Sequence, residues 1–165
     1  MGGYFIPWIE VKIMQMIPRR PAAVAFLQGS REHSGITGEV RFYQFPGAIL
    51  VEADVLGLPN NGSGFFGFHI HEGADCGGTD FSATGGHYGG KVTNHPRHAG
   101  DLPPLLSRGG RAYLAVMTDR FSIRDILGRT VVIHGSPDDF KTQPSGDSGR
   151  KIACGSIQST ARRKM

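Results

Sequence analysis

Only two cysteines occur in the 165 residues, which limits the chain to one disulfide or leaves two buried free thiols. No stretch approaches the roughly 18 consecutive apolar residues of a membrane-spanning helix, so a soluble protein is expected. The opening MGGYFIPWIEVKIMQMIPRR carries Pro7, Glu10 and Lys12 where a secretory leader needs an unbroken apolar segment, which argues for a cytoplasmic location. Met14 and Met16 each offer an alternative start. A basic stripe is missing as well. The excess of positive charge, +4 for the whole chain, is carried by Lys12, Arg19 and Arg20 at one end and Arg162, Arg163 and Lys164 at the other. Such fringes read as solvated tails, so no nucleic-acid partner is expected. Long amphipathic helices are scarce, and there is no internal repeat, low-complexity tract or linker.

What is abundant is glycine, 25 residues, together with 10 prolines and scattered aromatic and β-branched residues. That mixture suits many short strands joined by turns and loops. The length fits one domain, expected over residues 21–158 between an extension at 1–20 and a basic tail at 159–165. Period-two alternation predicts strands over Ala22–Gln28, Gly38–Phe45 and Ile49–Leu56. Gly64–Glu72, Arg111–Met117, Arg129–His134 and Lys151–Ile157 bring the number to about seven, as in an all-β Greek-key sandwich or flattened barrel of immunoglobulin-like type. Two long irregular stretches, Gly73 to Gly110 and Gly135 to Gly149, read as functional loops.

Six of the seven histidines lie between positions 69 and 134. His69 and His71, two apart in a strand, leave the same face, while Phe66, Phe68 and Ile70 take the other and enter the core. A single histidine on a strand is more often a satisfied core or surface residue; the clustering changes that balance. His87, His95, His98 and Asp101 share one glycine-rich loop, and three imidazoles with a carboxylate make a complete tetrahedral zinc set of structural type. His134 ends the apolar run Val131–Ile133, from which it is expected to meet His69 and His71 across the sandwich. His33, in GSREHSG, reads as a solvated loop residue.

In these segments the chain resembles the copper/zinc superoxide dismutase family. GFHIHEG is similar to the family's G-F-H-x-H-E motif, which implies His69 and His71 as copper ligands. GGHY supplies His87 where the family has the histidine bridging both metals, and HPRHAGDLP matches the zinc loop, implying His95, His98 and Asp101. GRTVVIHGSPDD implies His134 as the fourth copper ligand and Asp138 as the carboxylate linking a copper histidine to a zinc histidine. KIACG resembles the final motif and implies a Cys76–Cys154 disulfide. The resemblance covers roughly residues 22–158.

It implies an enzyme that converts superoxide into dioxygen and hydrogen peroxide, with one copper and one zinc per chain and His87 passing a proton. The family's arginine, which attracts the anionic substrate, is replaced by Lys151, preceded by Arg150. A lysine keeps the charge but not the planar fork, so activity below that of an arginine-bearing relative is expected. Tyr88, Gly89 and Gly90 replace the usual Phe-Asn-Pro, which implies a looser zinc loop, and Gly135 stands where an acidic residue is common. The substrate is the expected partner, with monomer and homodimer both open. The alternative is a non-catalytic copper- or zinc-binding relative, in which at least one copper histidine is expected to be missing.

Overall fold

The computed structural model describes residue 18 and residues 20–89 and 94–161. The proposed extension at 1–20 and the cations Arg162, Arg163 and Lys164 fall largely or wholly outside them. Nine antiparallel strands dominate: β1 (Ala23–Gly29), β2 (Thr37–Phe45), β3 (Ala48–Leu56), β4 (Phe65–Phe66), β5 (Phe68–His71), β6 (Leu105–Arg108), β7 (Arg111–Thr118), β8 (Thr130–His134) and β9 (Lys151–Ser159). The only α-helix among the described residues is the single turn α1 (Ile123–Ile126). Short 3-10 segments cover Arg31–His33 and Thr79–Thr84.

The strands form one ladder in the order β4-β6-β7-β3-β2-β1-β9-β8-β5. Its two end strands, β4 and β5, are separated in the chain by Gly67 alone. A sheet whose first and last strands are one residue apart must curl on itself, and the result is a nearly closed barrel with non-sequential neighbours β4–β6, β3–β7, β1–β9 and β5–β8. The all-β Greek-key expectation holds, with two differences in detail. The predicted strand Gly64–Glu72 is broken at Gly67, because Phe66 pairs with Leu105 on one side of the closure and Phe68 with Ile133 on the other. Strand β6 lies inside the stretch predicted as the first long loop, because Pro103 and Pro104 precede it and it alternates over only four residues.

The core follows the alternation. Val40 and Phe42 on β2, Ile49, Val51, Ala53 and Val55 on β3, and Phe66, Phe68 and Ile70 are buried. Each large apolar side chain withdrawn from water in this way stabilises by about 1.5–3 kcal/mol. Strand β8 is buried at all five positions, and its apolar stretch Val131–Ile133 leads into His134. A disulfide joins Cys76 to Cys154 across 78 positions, with Cα atoms 5.8 Å apart. It ties the start of the first loop to β9.

Candidate metal centre

Strand β5 turns Phe68 and Ile70 inward, so alternation sends His69 and His71 to the opposite face, where the loops bury both. One edge of β5 pairs with β8, with His69 opposite Val132 and His71 opposite Thr130. The other edge is covered by two passes of the loop. His87 bridges to His71 and Asp101 to His69, with the Tyr88 amide donating to the Ile70 carbonyl and the Ile70 amide to the Gly100 carbonyl. Gly100 permits that approach, since a Cβ there would stand 2.3 Å from the Ile70 carbonyl oxygen.

His134 reaches the site by a route different from the one expected. β5 and β8 are hydrogen-bonded neighbours in the same ladder, so it does not come from across the sandwich. A register shift between Ile133 and His134 marks a bulge, which is how a strand end re-aims a side chain.

The ring nitrogens show what the cluster is built to hold. His71 Nδ1 lies 2.9 Å from the Gly85 carbonyl and His134 Nδ1 3.1 Å from that of Gly149. A carbonyl only accepts, so both protons sit on Nδ1 and both Nε2 atoms present lone pairs. Those two lone-pair atoms are 3.1 Å apart. Burial holds His71 near pKa 2 and His134 near 3, the neighbouring imidazoles adding to the effect, so a shared proton is no remedy near neutrality. His69 donates from Nε2 to Asp138 Oδ2 at 2.8 Å, and His95 from Nε2 to Asp138 Oδ1 at 2.8 Å.

After these bonds, His69 Nδ1, His87 Nε2, His95 Nδ1 and His98 Nδ1 are buried with no hydrogen-bond partner. Buried polar atoms without a partner are rare and each needs a cause. Here they converge. Ligand atoms of His69, His71, His87 and His134 lie within 4.8 Å of one another, as do those of His87, His95, His98 and Asp101. His87 belongs to both groups, with Nδ1 2.8 Å from Asp101 Oδ1. Asp101 Oδ2 lies 3.2 Å from His95 Nδ1 and 3.1 Å from His98 Nδ1. Neutral imidazoles in one group, and imidazoles with a carboxylate in the other, suit copper and zinc respectively.

The two carboxylates stay ionised. Burial works to raise Asp101, but the bond from His87 and the surrounding imidazoles hold it below its ordinary value. Asp138 falls to about 2 against the same burial, through hydrogen bonds from His69, the Phe140 amide and His95.

A cleft of about 400 Å³ opens onto the first group, lined by His71, His87, His134, Gly85, Gly149 and Lys151. Lys151 sits opposite His134 across β8 and β9, and partial burial lowers its pKa. Arg150, grouped with Lys151 on sequence, is placed elsewhere. Its side chain is 63% exposed and pairs with Glu32 and Asp80 at 3.1 and 3.0 Å, because successive residues of an extended chain point to opposite sides. It does not line the cleft.

Tyr88, the first departure after His87, is anchored by its backbone and by the Arg129 guanidinium 3.9 Å from its ring centre. Gly90 lies outside the described residues. Gly135 receives no side-chain role; its amide donates to the Arg150 carbonyl at 2.8 Å. His33 lies in the Arg31–His33 turn, 3.0 Å from the Ser30 hydroxyl and apart from both groups.

Sequence reading missed three supports. The Gln143 side chain holds the His95 backbone on both sides of its Cα, accepting from its amide at 2.9 Å and donating to its carbonyl at 2.6 Å. Arg120 donates to the carbonyls of Pro96, His98 and Asp101. Thr84, fully buried, accepts from Lys151. None lies in a recognisable motif.

The family model described as copper/zinc superoxide dismutase (SODC) matches residues 36–157. A Cu-Zn superoxide dismutase from Legionella pneumophila is 36% identical over 129 residues, covering 73% of this chain and 77% of that protein. One from Deinococcus radiodurans is 34% identical over 144 residues, with coverages of 74% and 78%. A copper chaperone for superoxide dismutase from Mus musculus is 33% identical over 155 residues, 85% of this chain and 54% of its own length.

Proposed function

This chain belongs to the copper/zinc superoxide dismutase family, and from that premise we propose how its residues divide the work. It is an oxidoreductase that disproportionates superoxide to dioxygen and hydrogen peroxide, with one copper and one zinc site. Copper, when bound, supplies a one-electron couple that both oxidises and reduces superoxide, and zinc supplies a fixed positive charge.

In the proposal, His69, His71, His87 and His134 hold copper and His87, His95, His98 and Asp101 hold zinc. The sharing of His87 between the two groups carries the reading. His87 Nε2 takes up a proton from solvent and passes it to the peroxide anion, which takes its second proton from water and departs as hydrogen peroxide. Its Nδ1, on the Asp101 side, keeps the ring in place. Asp138 orients His69 and His95 by fixing the proton of each on Nε2, leaving both Nδ1 atoms free to bind metal. Lys151, at the cleft, raises the local concentration of a small anion. The loops exclude bulk water from the ligand nitrogens.

The alternative, a non-catalytic metal-binding relative, expects a missing copper histidine, and all four are present. Metal analysis with a superoxide-consumption assay, on the native chain and His134→Ala, tests the reading. Copper-dependent activity lost in the variant supports it; a native chain that holds zinc alone and consumes no superoxide overturns it.

No helix among the described residues is long and apolar enough to cross a membrane. A homodimer is proposed on the exposed pair Phe65 and Leu106, which face each other across β4 and β6; sedimentation velocity checks it.

A further inference from the structure

Lysine is a poor replacement for an arginine at an anion site unless something holds its ammonium still, because it ends in a point charge on a four-carbon flexible stem. In this chain something does. Thr84 is fully buried and its hydroxyl donates to the Phe81 carbonyl at 2.8 Å. That bond uses the only hydroxyl proton, so toward Lys151 the oxygen can act only as an acceptor. Lys151 Nζ donates to it at 2.8 Å and to the Gly85 carbonyl at 2.9 Å. The same Gly85 carbonyl accepts from His71 Nδ1. An ammonium has three N–H groups; two are thus committed, and one is left for the cleft that Lys151 lines with His71, His87 and His134.

The position of Thr84 is itself held from outside. It ends the Thr79–Thr84 segment, in which Asp80 and Phe81 adopt left-handed backbone angles, φ 52° and 58°. Arg150 grips that segment through Asp80, and the disulfide at Cys76 anchors its start. Arg150 thus supports the turn rather than meeting substrate.

We propose that Thr84 is a positioning residue for substrate: it fixes the Lys151 ammonium so that a single N–H faces the anion, and lysine with threonine does here what a guanidinium fork does elsewhere. The proposal rests on the reading of the cleft as the superoxide pocket.

The test uses the copper- and zinc-loaded chain with azide as a small anionic probe, its binding followed through the copper absorption band. Acylation of the Lys151 amine, read by mass spectrometry, supplies a measure independent of activity. Thr84→Val, isosteric but without the acceptor, is expected to weaken azide roughly tenfold, as for one hydrogen bond to a charged group, and to speed Lys151 acylation. Thr84→Ser is expected to restore both. In a Lys151→Met background the effect of Thr84→Val on azide is expected to vanish.

Unchanged azide affinity and acylation in Thr84→Val overturn the proposal, with the pocket reading intact. So does an azide loss that persists in the Lys151→Met background, since Thr84 then acts on the fold and not through lysine. Native protein that binds both metals but shows no azide response, or an affinity indifferent to Lys151→Met, overturns the pocket reading and the proposal with it.

Discussion

His71 and His134 face each other with Nε2 atoms 3.1 Å apart and with both Nδ1 protons committed to backbone carbonyls. Two buried acceptors at that distance are stabilised by a cation between them and by little else. The pair therefore links folding, metal and pH.

The metal-stripped protein is expected to lose stability as pH falls. The unfolded chain takes up protons at histidine below its ordinary value of 6.5, whereas folded His71 and His134 resist until about 2 and about 3. The unfolded state binds more protons throughout that window, so acid favours it. Asp138 adds a second loss between its ordinary 3.8 and about 2. Thermal unfolding from pH 8 to 3 checks this, and a flat midpoint between 7 and 4 refutes it.

Asp138→Asn removes the charge that accepts from both His69 and His95. An amide offers one carbonyl oxygen to two N–H donors, so one histidine loses its partner. Metal retention is expected to fall roughly 10–100-fold, read by chelator competition. Retention equal to that of the native chain removes Asp138 from the role proposed for it.

Gly67→Ala tests the barrel closure. A Cβ at this position would lie 2.8 Å from Ser148 Cβ and 3.2 Å from His134 Cβ. Overpacking of this kind costs about 1–3 kcal/mol, and the shift falls first on Ser148, beside the Gly149 whose carbonyl holds His134, and then on His134 itself. Denaturant unfolding is expected to show the loss, and metal analysis to show copper depleted more than zinc.

Lys151→Glu reverses the charge at the cleft. The kcat/KM for superoxide is expected to drop, and added salt, which slows the native enzyme, is expected to slow the variant less or to speed it. A native rate indifferent to ionic strength argues against any steering by Lys151.

Much of the metal site was legible in the chain because its ligands follow local rules. Period two puts His69 and His71 on one face, and a single loop carries His87, His95, His98 and Asp101. The alternating runs of β2 and β3 were legible for the same reason, since one face of each must leave water. The short β6 was not, because four residues behind two prolines carry too little periodicity.

What the primary structure determined by itself is the pairing of His69 with His71 on one face, the gathering of His87, His95, His98 and Asp101 in one loop, the strand-rich architecture and the apolar face that must be buried, since each depends on neighbours in the chain. Tertiary structure alone decided that His134 arrives on the strand beside β5, that Arg150 turns to the outer rim while Lys151 enters the cleft, and that Gln143, Arg120 and Thr84 hold the site. The physical reason is separation. Thr84 and Lys151 are 67 positions apart and Gln143 and His95 are 48, and no local pattern of polarity encodes a hydrogen bond formed only once the barrel has closed.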